Sequence, residues 1–489
     1  MSDPTEPDAP PPPPDQPPPT GLLKRLSQSV FFKNLASLSG ATLFTKAIGV
    51  AILGWAARHL GPEGYGIVGF GLSISAYAAI LLSPGLMTWG VREVARERES
   101  AGRLVVIING TQTVLATLGI VGTAVFAYGW LENPVERNVV ILSSLVLITQ
   151  GLSVNWALNG LELIRVNAGI DVIYSVGNAL GLVLFVRQPD DIYAMPILAL
   201  VLATARTAAG YPILLMAIGK RLQWPTRQQV FTALWASLPL GVMSAIHVVL
   251  HYTNNLIIRG YMGPAELGEY LAGFRLVELA ATIPTVLSGA FFPRLARSAK
   301  ESPEKAAQEA QLFAKVHMVP AFFGAVMMLV EAQGVVDLLY GAAYQDAVIL
   351  VQIMSLALFF NFAICGYSNC LLGFGKDRVM LVVLCASAIT SIGGGFALVP
   401  IYGALGGAIA IAAVDLAGWL VSLPTYRREI GPLNLQSWFK PAVGAAFVGA
   451  VCLGLQHYNV PFLVRLPLAF LAYTPTLYLE GRSTMMALK

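Results

Sequence analysis

Apolar runs long enough to cross a bilayer recur along this chain at intervals of about 33 residues, and that single feature dictates what it can become. A spanning helix needs roughly 20 mostly apolar residues, and the runs place helices near 35–58, 67–90, 104–129, 138–158, 166–186, 192–217, 231–257, 266–292, 310–331, 347–372, 379–399, 402–425, 438–455 and 460–479. The fold class expected is an all-α polytopic membrane protein of about fourteen transmembrane helices. Composition agrees: 56% of residues are apolar and 12% charged, against roughly 45–50% and about 25% in an average soluble domain, so a water-soluble globule would lack the charge to cover its surface.

The ends and the cysteines carry less. Residues 1–20 hold ten prolines with Asp3, Glu6, Asp8 and Asp15, a composition that buries no core and is expected to form a disordered tail. It has neither the basic start nor the apolar run of a signal peptide. Residues 21–33 alternate Leu22, Leu23, Leu26 and Val30 with Lys24, Arg25 and Lys33, as a short amphipathic helix on a membrane surface does. Cys365, Cys370, Cys385 and Cys452 sit in apolar stretches without the spacing of a metal site or disulfide framework, and are expected to pack. Nothing in the chain reads as nucleic-acid binding.

Orientation follows from where the 31 Lys and Arg fall. With both termini and the even-numbered connections on one side, only Arg58, Arg137, Arg187, Arg259 and Arg465 flank the other, and Lys46, Arg206 and Arg275 lie inside spans. The remaining 23 gather on the first side, which the positive-inside rule identifies as cytoplasmic. A multi-pass protein of the cytoplasmic membrane with both termini inside is expected.

A repeat organises the spans. The first outer connection reads Arg58-His-Leu-Gly61-Pro62-Glu63-Gly64-Tyr65-Gly66, and about 200 residues later comes Arg259-Gly-Tyr-Met-Gly263-Pro264-Ala-Glu266-Leu-Gly268-Glu-Tyr270. Each precedes a helix and then a basic connection, Arg92 to Arg96 in one copy and Arg294 to Arg297 in the other. An even number of helices separates the copies, so they run the same way across the membrane, as in transporters that rock two bundles about a central site. Gly-Pro also marks ordinary turns; the joint recurrence of turn and basic connection favours the repeat. The organisation expected is a tail (1–20), an interfacial segment (21–33), a six-helix bundle (34–230), a second one (231–430) and two additional helices with a short tail (431–489).

The stretch from Ala56 to Arg96, with its Leu60-Gly61-Pro62-Glu63-Gly64-Tyr65-Gly66 turn, resembles the opening of polysaccharide flippases of the O-antigen type in the multidrug/oligosaccharidyl-lipid/polysaccharide (MOP) exporter superfamily. Residues 334–348, containing Leu339-Tyr340-Gly341-Ala342-Ala343-Tyr344, are similar to a second loop of that family. The likeness spans roughly residues 30 to 425. It implies two six-helix bundles forming a V, a central cavity open to one side at a time, and translocation of a polyprenyl-diphosphate-linked oligosaccharide for surface polysaccharide assembly. The partners it implies are that lipid, the bilayer and other polysaccharide-assembly proteins. The Gly61-Pro62 and Gly263-Pro264 turns would shape the outer gate.

A charge in mid-bilayer costs roughly 2.5–3.5 kcal/mol, so those retained there are candidates for a lined cavity. Lys46, Arg206 and Arg275 are cationic and suit a diphosphate. Each also has a plainer reading: Arg275 can neutralise Glu278 three residues on, Lys46 can snorkel, and Arg206 can bond a carbonyl. His247, His251 and Asn254 share a narrow arc of one helix, with Asn255 beside them. They suit contact with sugar or proton exchange, or simply interhelical hydrogen bonds; a His-Glu-x-x-His zinc motif is absent. Asp171 and Asp415 are candidates for coupling to a proton or Na⁺, or for bonding a neighbouring hydroxyl. No cofactor or bound metal is implied.

Other functions fare less well. Gly373-Phe374-Gly375-Lys376-Asp377 lacks the spacing and hydroxyl of a nucleotide-binding loop. A membrane enzyme of polysaccharide assembly would display acids, Arg or His in a sizeable outer loop, whereas the outer connections are short and Asp190-Asp191 is their one paired acidic site. A cation-coupled multidrug exporter of the same superfamily would favour acids and aromatics in its cavity, and here the spans hold cations. A non-transporting scaffold of an export complex also stays open.

Overall fold

The computed structural model describes residues 30–82, 85–219 and 222–487. The proline-rich tail and most of the expected interfacial segment lie outside the described residues. The described chain is helical almost throughout: α1 (Val30–Leu82), α2 (Leu86–Arg96), α3 (Ala101–Trp130), α4 (Pro134–Gly151), α5 (Asn155–Gly160), α6 (Ile164–Phe185), α7 (Ala194–Ala217), α8 (Arg227–Met262), α9 (Pro264–Ala280), α10 (Thr282–Glu301), α11 (Pro303–Val330), α12 (Ala332–Leu339), α13 (Ala347–Ala363), α14 (Asn369–Gly373), α15 (Asp377–Tyr402), α16 (Ala404–Glu429), α17 (Gln436–His457) and α18 (Phe462–Ala487). Among the described residues, twelve helical stretches are long and apolar enough to cross a membrane. α1 adds two helical arms separated by a kink at Gly61, so every expected span has a helical counterpart.

The spanning helices are largely apolar on all sides, which marks burial in lipid rather than at a water boundary. Val125, Ile173, Ile389 and Phe439 are about 70% exposed on the outward surface, where acyl chains would cover them. Between helices the contacts use small residues, because lipid gives no hydrophobic push and close backbone approach supplies the attraction. α15 and α16 meet through Gly394 on Ala410, and Gly406 sits where a Cβ would come within 2.3 Å of the Leu398 carbonyl.

Helix starts reflect local chemistry. Asn133 caps α4, its side chain accepting from the Val135 amide at 2.9 Å, and Pro134 takes the first helical position where no amide is needed. Thr226 and Gln229 form a capping box at α8, and Ser302 with Pro303 opens α11. Some expected spans are interrupted. The one at 266–292 breaks at Ala281, where Pro284 removes the amide that would bond the Ala280 carbonyl. The span at 347–372 contains a π-helical turn, Ile364–Ser368.

α8 packs against helices both before and after it in the chain. Ala233 in its first part is buried with Leu86, Val94, Leu104 and Val105 of α2 and α3, while farther along Asn254 abuts Gly395 of α15. α17 and α18 pack on α11 through Val319, Met327, Val448, Cys452 and Tyr473. Arg465 ties α18 to Glu331, at the end of α11, with hydrogen bonds to both carboxylate oxygens.

Candidate functional site

Both Gly-Pro turns adopt the same unusual backbone. Gly61 has φ 70° and ψ 171°, and Gly263 has φ 98° and ψ 178°; positive φ of this kind is open to glycine and closed to most other residues. Each turn then seats on the helix next after the other. A Cβ on Gly66 would lie 1.8 Å from the Pro264 carbonyl oxygen, and one on Gly268 would lie 1.9 Å from the Pro62 carbonyl oxygen. The second arm of α1 and α9 thus meet backbone to backbone, in a contact whose two sides mirror each other.

Polar links close the same end. Arg259 of α8 donates from Nε to Glu136 of α4 at 2.5 Å and from Nη2 to the second carboxylate oxygen. Farther along α8 and the second arm of α1, Asn255 donates to the Ser73 hydroxyl at 2.9 Å, and Tyr77 shares a 2.5 Å hydrogen bond with Thr253. The loop after α12 is fastened to the first arm of α1: Arg58 donates to the Asp337 carbonyl at 2.6 Å and the Tyr344 hydroxyl to the Ala57 carbonyl at 2.8 Å. Glu266 and Glu269 of α9 accept from the Ala404 and Ala347 amides, both at 2.9 Å, and so satisfy free amides at the starts of α16 and α13.

Beside this seal, within electrostatic reach of Tyr65, the candidate charges come together. Arg275 on α9 donates to Glu278 at 2.6 Å, the pairing its three-residue spacing allows. Glu278 also lies within electrostatic reach of Lys46 and His251. His247 and His251 stack with ring centroids 4.0 Å apart, and His247 is exposed. Two cations therefore face one carboxylate. The Arg275 Nε is buried with no hydrogen-bond partner, so the guanidinium retains donor capacity beyond Glu278.

Arg275 also lines a cavity of about 360 Å³, with Ser143 and Gln150 of α4, Tyr174 and Asn178 of α6 and Tyr252 of α8, among aliphatic side chains of α1 and α7. Polar groups lodged in a mostly apolar hollow are what a small-molecule site requires. Charge alone does not reveal these amides and aromatics in the sequence. Extending the mid-membrane polarity argument from charged residues to Gln and Asn would single out Gln150 and Asn178.

The remaining candidates are placed elsewhere. Arg206 forms an ion pair with Asp171 at 2.5 Å and lies over the Tyr174 ring, 5.5 Å from its centroid; one sequence-derived anion binder and one ion-coupling candidate thus face each other. Asn254 is buried against Gly395 and Asn255 is engaged with Ser73, so the polar arc of α8 divides into a histidine pair within reach of Glu278 and an asparagine pair packed between helices. Asp415 bonds the Asn361 side chain near the π-helical turn.

Comparison with known proteins places this geometry. The profile of the family described as "Polysaccharide biosynthesis protein" matches residues 31–299. The chain is 22% identical over 383 residues to a putative O-antigen transporter of Shigella flexneri, covering 74% of this chain and 89% of the relative. Among solved structures, the lipid II flippase MurJ in an inward closed conformation superposes with a TM-score of 0.74 at 12% identity, over 92% of this chain and 99% of that one. A multidrug resistance MATE transporter of the MOP superfamily in an inward-facing conformation gives 0.61 at 17% identity, over 79% and 94%. These relatives are transporters and flippases, not catalysts. With the paired turns, the fold and the family match in agreement, the chain belongs to the polysaccharide biosynthesis protein family.

Proposed function

We propose that the protein is a flippase that carries a polyprenyl-diphosphate-linked oligosaccharide across the cytoplasmic membrane by alternating access. The observation that carries this reading is the excess of fixed positive charge where Arg275 and Lys46 share one carboxylate, Glu278, beside a cavity. A diphosphate entering there takes up the open donors of Arg275 and competes with Glu278 for the rest; charge-assisted hydrogen bonds of this kind are the strong ones. The polyprenyl chain stays in lipid while the anion and its sugars occupy the cavity. The O-antigen transporter and lipid II flippase among the relatives support the substrate class.

In this reading the Gly61 and Gly263 turns form the outer gate, closed in the described state, and both chain ends lie in the cytoplasm with the basic connections. Transport then requires the two halves to part at that gate and approach at the other end. His247 and His251 are the proposed proton-exchanging pair, and Asp415 the proposed carboxylate for a coupling cation, because Arg206 already engages Asp171.

The test is genetic and biochemical together. Lys46→Ala and Arg275→Ala are expected to abolish surface polysaccharide while the protein remains in the membrane at normal level. Full retention of polysaccharide in both variants would overturn the mechanism. A multidrug exporter would instead leave polysaccharide intact in both and lose resistance to organic cations.

A further inference from the structure

We propose that the cavity beside Arg275, between the second arm of α1, α4, α6 and α7, is the subsite for the sugar bonded directly to the diphosphate. The inference rests on the flippase reading and deepens it by assigning the first sugar to residues that charge does not reveal. If Arg275 holds the diphosphate, the first sugar, one glycosidic oxygen away, must lie in the space next to that guanidinium. That space is the cavity of about 360 Å³ which Arg275 itself lines, within the roughly 300–1,000 Å³ of small-ligand sites.

Its walls suit a pyranose ring. Sugar hydroxyls both donate and accept, and amide side chains answer with both at once; Gln150 and Asn178 face the cavity from α4 and α6. The Ser143 hydroxyl, also on the wall, is 2% exposed and has no hydrogen-bond partner. An unanswered buried hydroxyl is costly, and a ligand hydroxyl would satisfy it. The C–H face of a sugar needs an aromatic surface, which Tyr174 supplies. That ring is held by the Arg206 guanidinium, itself fixed by Asp171. The Arg206–Asp171 pair thereby acquires a role as a positioning device for Tyr174 rather than as a second anion site.

The test compares two lipids on the full-length protein in nanodiscs by native mass spectrometry: the lipid-linked oligosaccharide pool extracted from the cells that make this protein, and bare polyprenyl diphosphate. Wild type is expected to bind the sugar-bearing lipid about tenfold more tightly. Gln150→Ala and Asn178→Ala are each expected to shrink that margin to about twofold or less without weakening the bare lipid. Tyr174→Phe, which keeps the ring, should preserve the margin, and Tyr174→Ala should not. An unchanged margin in both amide variants, or equal binding of the two lipids by wild type, would overturn the sugar subsite and leave the flippase reading standing. Weakened bare-lipid binding in the amide variants would assign the cavity to the diphosphate or the prenyl chain instead. Failure of wild type to bind either lipid would remove the flippase reading, and this inference with it.

Discussion

Arg259 of α8 grips Glu136 of α4 through both carboxylate oxygens, across two helices and 123 residues of sequence. Glu136 is 1% exposed. Removing one partner of such a buried pair strands the other charge, at a cost of about 3–5 kcal/mol. Part of that cost is avoided if the gate opens and admits water. Glu136→Ala is therefore expected to favour the state open at the Gly61 end. A membrane-impermeant thiol reagent applied outside should label a cysteine at Ser73 faster in the Glu136→Ala background than in the parent; equal labelling would deny the pair a gating role.

The reciprocal glycine contact makes a sharper demand. A methyl group at Gly268 would meet the Pro62 carbonyl oxygen at 1.9 Å, so α1 and α9 must separate to admit it. Gly268→Ala is expected to destabilise the closed gate by about 1–3 kcal/mol, the usual scale of overpacking. The same labelling experiment should show an open gate, and thermal unfolding should show a lower midpoint. Gly66→Ala should reproduce both effects, since Gly66 stands in the matching position against Pro264.

How much of this is legible in the sequence depends on how local the cause is. Span positions and the recurring turns are legible because hydropathy and glycine conformation act within a single segment. The charge pairs are less so: Arg275 and Glu278 share one helix and their pairing can be foreseen, whereas Glu136 meets Arg259, and Asp171 meets Arg206, across different helices. Asn254 and His247 fall on one arc of α8, yet one packs against Gly395 and the other is exposed, because the neighbours of α8 change along its length.

Glu278 competes with substrate for Arg275. Glu278→Gln frees the guanidinium and is expected to tighten binding of bare polyprenyl diphosphate, while Arg275→Ala weakens it by about tenfold or more, from the roughly 1.5–3 kcal/mol of a hydrogen bond to a charged group. Opposite shifts in the two variants, read by native mass spectrometry, are the expected result; parallel losses would make the pair structural.

The appended hairpin has its own clamp. Glu331 is 1% exposed and is held by Arg465, so Arg465→Ala should destabilise the packing of α17 and α18 on α11 by about 3–5 kcal/mol. A clear drop in the thermal midpoint of the detergent-purified protein is expected, and Arg465→Lys should recover it only in part, because an ammonium cannot reproduce the forked geometry.

Proteoliposome translocation of the lipid-linked oligosaccharide by the Lys46→Ala, Arg275→Ala double variant is the most direct measurement of whether fixed positive charge carries the diphosphate across. If it does, a double variant whose thermal midpoint matches wild type moves the lipid at least about tenfold more slowly. Translocation at the wild-type rate would contradict it.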